Sequence, residues 1–264
     1  MEHTLLLYRS RNLGDIMQSL ALSRLLPPCK GIFRHRLQTL APGQSLIVNG
    51  MFDKDRPPAF GAHCLFAGVS GPHFRQSFYL RWMAQSPFPI GARDPATADA
   101  ANAVGLTASL IGCATLTLPP YHGPRKGIYS VDTIGPGVAL SQTITRRWTV
   151  EEQWTGAITA LDKFRTAEAV CTSRLHVALP CLAFGTPVWI ANPAVHAWHP
   201  SRFGLLEAMG VPWETLTTAD VSPWARRYTQ FLETHLQTPI VPGTPKLPAT
   251  NYRPSSWIPE WWRW

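Results

Sequence analysis

The sequence predicts an α/β protein built from two Rossmann-like domains that face one another. Three observations predict it. Short apolar runs of strand length alternate with helical stretches, the pattern of parallel sheets. The alternation occurs in two halves, although no internal sequence repeat is detected. Between the halves, Pro119-Pro120 and the loop through Gly127 read as a linker. The expected division is residues 1–122, residues 123–238 and a tail over 239–264.

Each element follows in order. Thr4–Tyr8 reads as a short buried strand, and the loop Arg9–Asp15 leads from it into a helix over Ile16–Leu26, which Pro27-Pro28 ends. Ser45–Asn49 is strand-like, and Asn49-Gly50 reads as a turn. Cys64–Val69 and Pro89–Ala92 are further strands. Thr97–Val104 is a helix stopped by Gly105, and Ser109–Ile111 is a strand. The second half opens with a strand at Ile128–Val131 and a helix over Val150–Phe164. A strand at Ala169–Thr172 comes next, then a helix over Val177–Phe184 that Pro180 kinks or starts. A strand at Pro187–Ile190 and helices at Phe203–Met209 and Ala225–Leu236 complete it.

Composition narrows the function classes. The 264 residues suffice for a buried core, and 45% of them are hydrophobic. With a mean hydropathy of −0.05, the chain reads as a soluble globular protein and not as a disordered one. No apolar run approaches the roughly 18 residues of a membrane span. The apolar stretch Leu5–Tyr8 runs directly into Arg9 and Arg11, which is not a secretory signal, so a cytoplasmic location is expected. Five scattered cysteines form no Cys-x-x-Cys pair, so buried thiols are expected and neither a disulfide framework nor a metal site is. The net charge of +8 fits nucleic acid, an anionic membrane surface or an anionic small substrate. The basic residues are dispersed, which argues against nucleic acid. The tail carries four of the eleven tryptophans in its last eight residues. It could lie at a membrane interface, where indole rings are favoured; packing across the protein surface is the plainer reading.

Three motifs follow strands, where open α/β sheets bind ligands. In Asn12-Leu13-Gly14-Asp15, Gly14 allows a sharp turn, and Asp15 caps the next helix or meets substrate. In Arg93-Asp94-Pro95, the guanidinium can clamp a carboxylate or phosphate, and Asp94 orients it or caps the helix. In Ser173-Arg174-Leu175-His176, an extended backbone would put Arg174 and His176 on one side, an anion clamp beside an acid/base group. His196 and His199 flank Trp198, and that loop could line a sugar site or be an ordinary surface loop. There is no Walker-type loop, Gly-x-Gly-x-x-Gly, His-Glu-x-x-His or Gly-x-Ser-x-Gly.

Taken together and in order, these motifs resemble the polysaccharide pyruvyltransferase family. The resemblance rests on Asn12–Asp15, Arg93–Thr97 with Gly105, Gly112-Cys113-Ala114-Thr115-Leu116, and Ser173–His176 with Gly185-Thr186-Pro187-Val188. It runs from about Leu5 to Ile190, and the chain is short for the family. It implies a compact GT-B-like pair of domains with a cleft, and transfer of the pyruvyl group of phosphoenolpyruvate to a sugar as a cyclic ketal. It implies no redox cofactor and no obligatory metal. Arg93 and Arg174 would bind the donor's phosphate and carboxylate, with Ser173, Asn12 and Gly14 beside them. His176 would hold the phosphate or act as acid, and Asp15 or Asp94 would be the base. The partners implied are phosphoenolpyruvate and a saccharide acceptor. A lipid-linked acceptor would give the basic surface and the tryptophan tail a purpose. A nucleotide-sugar glycosyltransferase would use the same cleft. A non-catalytic protein that binds nucleic acid or an anionic surface is the rival from another class.

Overall fold

The computed structural model describes residues 3–51, 63–71, 77–144, 148–192, 203–237 and 240. The first sheet holds β1 (His3–Leu7), β2 (Lys30–Phe33), β3 (Ser45–Met51), β4 (His63–Ser70), β5 (Ile90–Ala92) and β6 (Ala108–Leu110). Their order is β2-β1-β3-β4-β5-β6, and every pair is parallel. The second sheet holds β7 (Ile128–Val131), β8 (Val138–Leu140), β9 (Ala169–Thr172) and β10 (Val188–Ile190) in the order β10-β9-β7-β8, again all parallel. Two parallel sheets in helical layers match the Rossmann-like plan read from the sequence.

The helices are α1 (Leu13–Ser23), α2 (Ser77–Ala84), α3 (Pro95–Asn102), α4 (Val150–Thr166), α5 (Leu175–Phe184), α6 (Gly204–Ala208) and α7 (Ser222–Leu236). Among the described residues none is long and apolar enough to cross a membrane. Leu5, Leu6 and Leu7 of β1 are all buried, because a parallel strand is covered on both faces. Each such leucine stabilises the fold by roughly 1.5–3 kcal/mol relative to exposure. Two helices are buried nearly all round, α1 except Asp15 and α5 throughout. They meet between the sheets: α1 packs on β1 and β3, and also on α4 and α5. One apolar core therefore runs through both halves. Helix α7 returns to the first sheet, where the Tyr228 hydroxyl donates to the Ala67 carbonyl at 2.9 Å.

Several boundaries differ from the sequence reading for identifiable reasons. Helix α1 begins at Leu13 because Asn12 caps it, with Oδ1 accepting from the Gly14 N–H at 3.0 Å. Asp15 is thus not the cap. Asn49-Gly50 is not a turn. Gly50, at φ +82°, is the site of a register shift inside β3, a bulge that the Tyr8 hydroxyl secures by donating to the Asn49 carbonyl. Strands β2 and β8 and helix α2 were not anticipated.

Candidate active site

Each sheet reverses its strand order once, between β1 and β3 and between β7 and β9. Ligands of open α/β sheets bind beyond the strand ends at such points. The loop after β1 and the N-terminus of α1 lie at the first point; Asp132 and Thr172–Arg174 lie at the second.

The loop after β1 is knitted locally. The Asn12 N–H donates to Ser10 Oγ at 3.1 Å, and Ser10 Oγ donates to Asp15 Oδ2 at 2.7 Å. Asp15 thereby fastens the loop. Gly14 is glycine because of a close approach: a Cβ there would stand 2.7 Å from His176 Cβ and 3.1 Å from Gln142 Nε2.

Arg93 leaves the end of β5 with its N–H on the Val69 carbonyl at 2.7 Å. Its side chain is among the largest that are fully buried, at 1% exposure. The guanidinium reaches His176 Nε2 at 3.5 Å through Nη1, a long contact in which Nε2 must present its lone pair. Arg93 Nε stands 3.8 Å from Asp94 Oδ2, and neither atom has a hydrogen-bond partner. Asp94 caps α3 as expected, its Oδ1 accepting from the Thr97 N–H at 3.0 Å, while Pro95 occupies the first turn. Arg93 acts electrostatically on Cys113, whose thiol accepts from Thr115 Oγ1 at 3.2 Å. Burial pushes that thiol's pKa up, and the positive charge of Arg93 offsets part of the shift.

The third motif is not extended. Helix α5 starts at Leu175 with Arg174 as its N-cap residue, so Arg174 and His176 leave on different paths. Arg174 donates through Nε to Asp132 Oδ2 at 2.9 Å and through an Nη2 proton to Thr143 Oγ1 at 3.1 Å. Ser173 Oγ donates to the Asp132 carbonyl at 2.7 Å. His176, 3% exposed, turns instead to Arg93 and Gly14. Pro180 explains the bend. It has no N–H to offer the carbonyl four residues earlier, and its ring crowds that carbonyl. The residue four earlier is His176, whose φ/ψ of −85°/20° is non-helical. Its freed carbonyl accepts from Gln142 Nε2 at 3.0 Å.

The structure thus gathers Gly14, Arg93, Asp94 and His176 into one buried cluster. Arg174 and Ser173 gather around Asp132 in a second. Asn12 and Asp15 lie at the seam, where Leu13 donates its N–H to the Gln142 carbonyl and Ile144 donates its own to the Arg11 carbonyl. Each arginine stands beside a carboxylate without being saturated by it: among the described residues, of five N–H donors Arg174 uses two and Arg93 one.

Three residues of this arrangement went unread in the sequence. Asp132 also accepts from the Ser141 hydroxyl at 2.7 Å and the Gln142 N–H at 3.1 Å, and holds φ +51°. Its place directly after a strand was the available signal. Gln142 and Thr143 carry no motif. His196, Trp198 and His199 lie outside the described residues, as does the tail over 239–264 apart from Ile240. Among the described residues, no three His, Cys, Asp or Glu side chains are grouped to hold a metal ion. A groove of about 990 Å³ lies beside α4 and is lined by Gln142 and Thr143 but not by Arg93, Arg174 or His176.

The sequence model described as polysaccharide pyruvyl transferase matches residues 59–192, just over half of the chain and the part that carries Arg93, Asp94 and Ser173–His176. No curated protein matches the chain. Among solved structures, a functionally uncharacterised protein of Klebsiella pneumoniae aligns with a TM-score of 0.53 at 13% identity, over 83% of this chain and 93% of that one. Its likeness shows the fold.

Proposed function

The chain belongs to the polysaccharide pyruvyl transferase family, and from that premise we propose that it transfers the pyruvyl group of phosphoenolpyruvate to a saccharide as a cyclic ketal. One observation carries the reading. A fully buried arginine, whose Nε makes no hydrogen bond and stands 3.8 Å from the Asp94 carboxylate, and which has only a long contact to an imidazole, sits at the strand ends of a parallel sheet. A buried guanidinium left so poorly bonded is costly unless an anion completes it. Phosphoenolpyruvate offers a phosphate and a carboxylate, and Arg93 and Arg174 are the two clamps.

In this reading the enol carbon C3 takes a proton, with His176 as the donor. The electron-poor C2 accepts a sugar hydroxyl, which loses its proton to Asp15 or Asp94. The C2–O bond to phosphate then breaks, and phosphate leaves. A second hydroxyl of the same sugar attacks C2 and loses its proton, closing the ketal. The charge clamps stabilise the departing phosphate, and the acid and base move the protons. Of the two carboxylates, Asp94 stands closer to the cluster, with Oδ2 unpartnered 3.8 Å from Arg93. Residues 1–122 and 123–238 form the two walls of the cleft. The split of the ten strands supports this division, and α7 of the second wall braces the first.

The test is incubation with phosphoenolpyruvate and a panel of methyl hexopyranosides, followed by phosphate assay and proton NMR. Phosphate and a ketal methyl singlet should rise together, and Arg174→Ala should abolish both while keeping a folded spectrum. Phosphate with vinyl protons would indicate enolpyruvyl transfer. Release of UDP from UDP-sugars, with phosphoenolpyruvate inert, would make the chain a glycosyltransferase.

A further inference from the structure

Parallel neighbours in a sheet need a crossover of about a dozen residues or more, usually a helix that covers one face. Strands β7 and β8 are parallel, yet only residues 132–137 join them. No helix lies in that connection. The groove of about 990 Å³ occupies this place, between α4 and the segment Leu140–Ile144.

The wall that α4 presents has a chemical order. Glu151, Thr155, Thr159 and Lys163 recur at every fourth residue, so they form one row of hydrogen-bonding groups along the helix. That row is roughly 18 Å long at 1.5 Å per residue. Beside it, Gly156 and Ala160 keep the floor low between two aromatic rings, Trp148 and Phe164. The Trp148 ring seats against α4 so closely that a Cβ on Gly156 would stand 2.5 Å from it.

Gln142 closes the end nearest the buried cluster. It is 2% exposed, and its Nε2 is committed to the His176 carbonyl, which fixes Oε1 as the acceptor. That buried Oε1 has no hydrogen-bond partner. A buried acceptor without a donor carries an uncompensated desolvation cost, which a ligand hydroxyl would offset. A row of hydroxyl, carboxylate and ammonium groups, the half-buried Trp148 ring and a waiting acceptor together suit a polyol.

We infer that this groove receives the saccharide acceptor, as an oligosaccharide lying along α4 with its terminal sugar at Gln142. The inference rests on the pyruvyl-transfer reading, whose family implies a saccharide acceptor. Gln142 then touches both substrates' surroundings, the sugar through Oε1 and the His176 backbone through Nε2. The missing crossover helix is what makes room.

Saturation-transfer difference NMR tests this with methyl hexopyranosides and short oligosaccharides as probes. The wild-type protein is compared with Trp148→Ala, which removes a wall, and Thr159→Trp, which fills the groove from an exposed position on α4. Both variants should lose at least fivefold of the saccharide signal, with oligosaccharides giving more signal than single sugars in the wild type. Should Trp148→Ala fold poorly, Thr159→Trp alone decides. Wild-type signal in Thr159→Trp, or no saccharide signal in the wild type, overturns the inference. Phosphoenolpyruvate titrated into the same samples should bind all three proteins within twofold. Loss of donor binding in the wild type would count against the transfer chemistry, while the saccharide signals still report on the groove.

Discussion

Replacing Gly14 by alanine sets two physical effects against each other. Alanine is the better helix former by about 1 kcal/mol, and Gly14 lies in the first turn of α1, so propensity alone predicts a small gain in stability. The structure predicts a loss. The new Cβ would lie 2.7 Å from His176 Cβ and 3.1 Å from both Asn12 Oδ1 and Gln142 Nε2. The first of these contacts is to an atom fixed by its backbone, so no rotamer relieves it. Overpacking of a buried site costs about 1–3 kcal/mol. The balance is a net destabilisation of roughly 0–2 kcal/mol after the propensity gain. Function should suffer more, because the relief available is displacement of His176 from Arg93 and of Gln142 from the His176 carbonyl. Urea unfolding measures the first effect, and calorimetric titration with phosphoenolpyruvate the second. A variant more stable than wild type by about 1 kcal/mol, with unchanged donor affinity, would refute the packing of α1 against α5 described above.

Further outcomes follow from the same structure. Pro180→Ala restores an N–H that competes with Gln142 for the His176 carbonyl; the helix should gain stability and donor affinity should fall several-fold, whereas unchanged affinity would remove Pro180 from the account. All five cysteines are buried thiols outside any disulfide, and burial pushes Cys64 up to about 11 and raises Cys113, Cys171 and Cys181 as well. An aromatic disulfide reagent at pH 8 should therefore label the native protein slowly and all five thiols at once in guanidinium; fast labelling of any native thiol would contradict the packing. Burial also holds the His235 imidazole, 4.6 Å from the Phe231 ring, below the usual 6.5. As pH falls the unfolded chain takes up this proton first, so the contribution is intact above about 6.5 and is lost as pH drops through the folded value. His235→Phe should lessen the fall in stability between pH 7 and pH 5, to which His3 and His35 also contribute, and an unaltered slope would show that other groups are responsible.

Much of this was legible in the sequence where local chemistry decides. Ile128–Val131 and Ala169–Thr172 are short apolar runs between polar residues, and both form strands at those limits. Asp94-Pro95 announces a capped helix and delivers one. Arg93 and His176 could be chosen because they follow strands, and they do meet. Tertiary effects were not legible. Arg174 and His176 part because α5 begins at Leu175, although Pro180 four residues past His176 was a usable clue. Gln142 lies in a segment without pattern, and its importance comes from a carbonyl that proline elsewhere sets free. Strand β8 hides because Val138-Ala139-Leu140, although apolar, is only three residues long and lies at an edge with Val138 exposed. The groove follows from that edge and from a connection too short to carry a helix.

The most direct test of the account is calorimetric titration of phosphoenolpyruvate into the wild-type chain and into Arg93→Ala and Arg93→Lys. A charge-assisted hydrogen bond to a buried group contributes about 1.5–3 kcal/mol, so loss of the fork should weaken binding by roughly ten- to 150-fold. Saturable binding by the wild type, lost in Arg93→Ala and only partly kept in a folded Arg93→Lys, is the predicted result. Absence of binding to the wild type, or equal binding by all three proteins, would contradict the placement of the donor on Arg93.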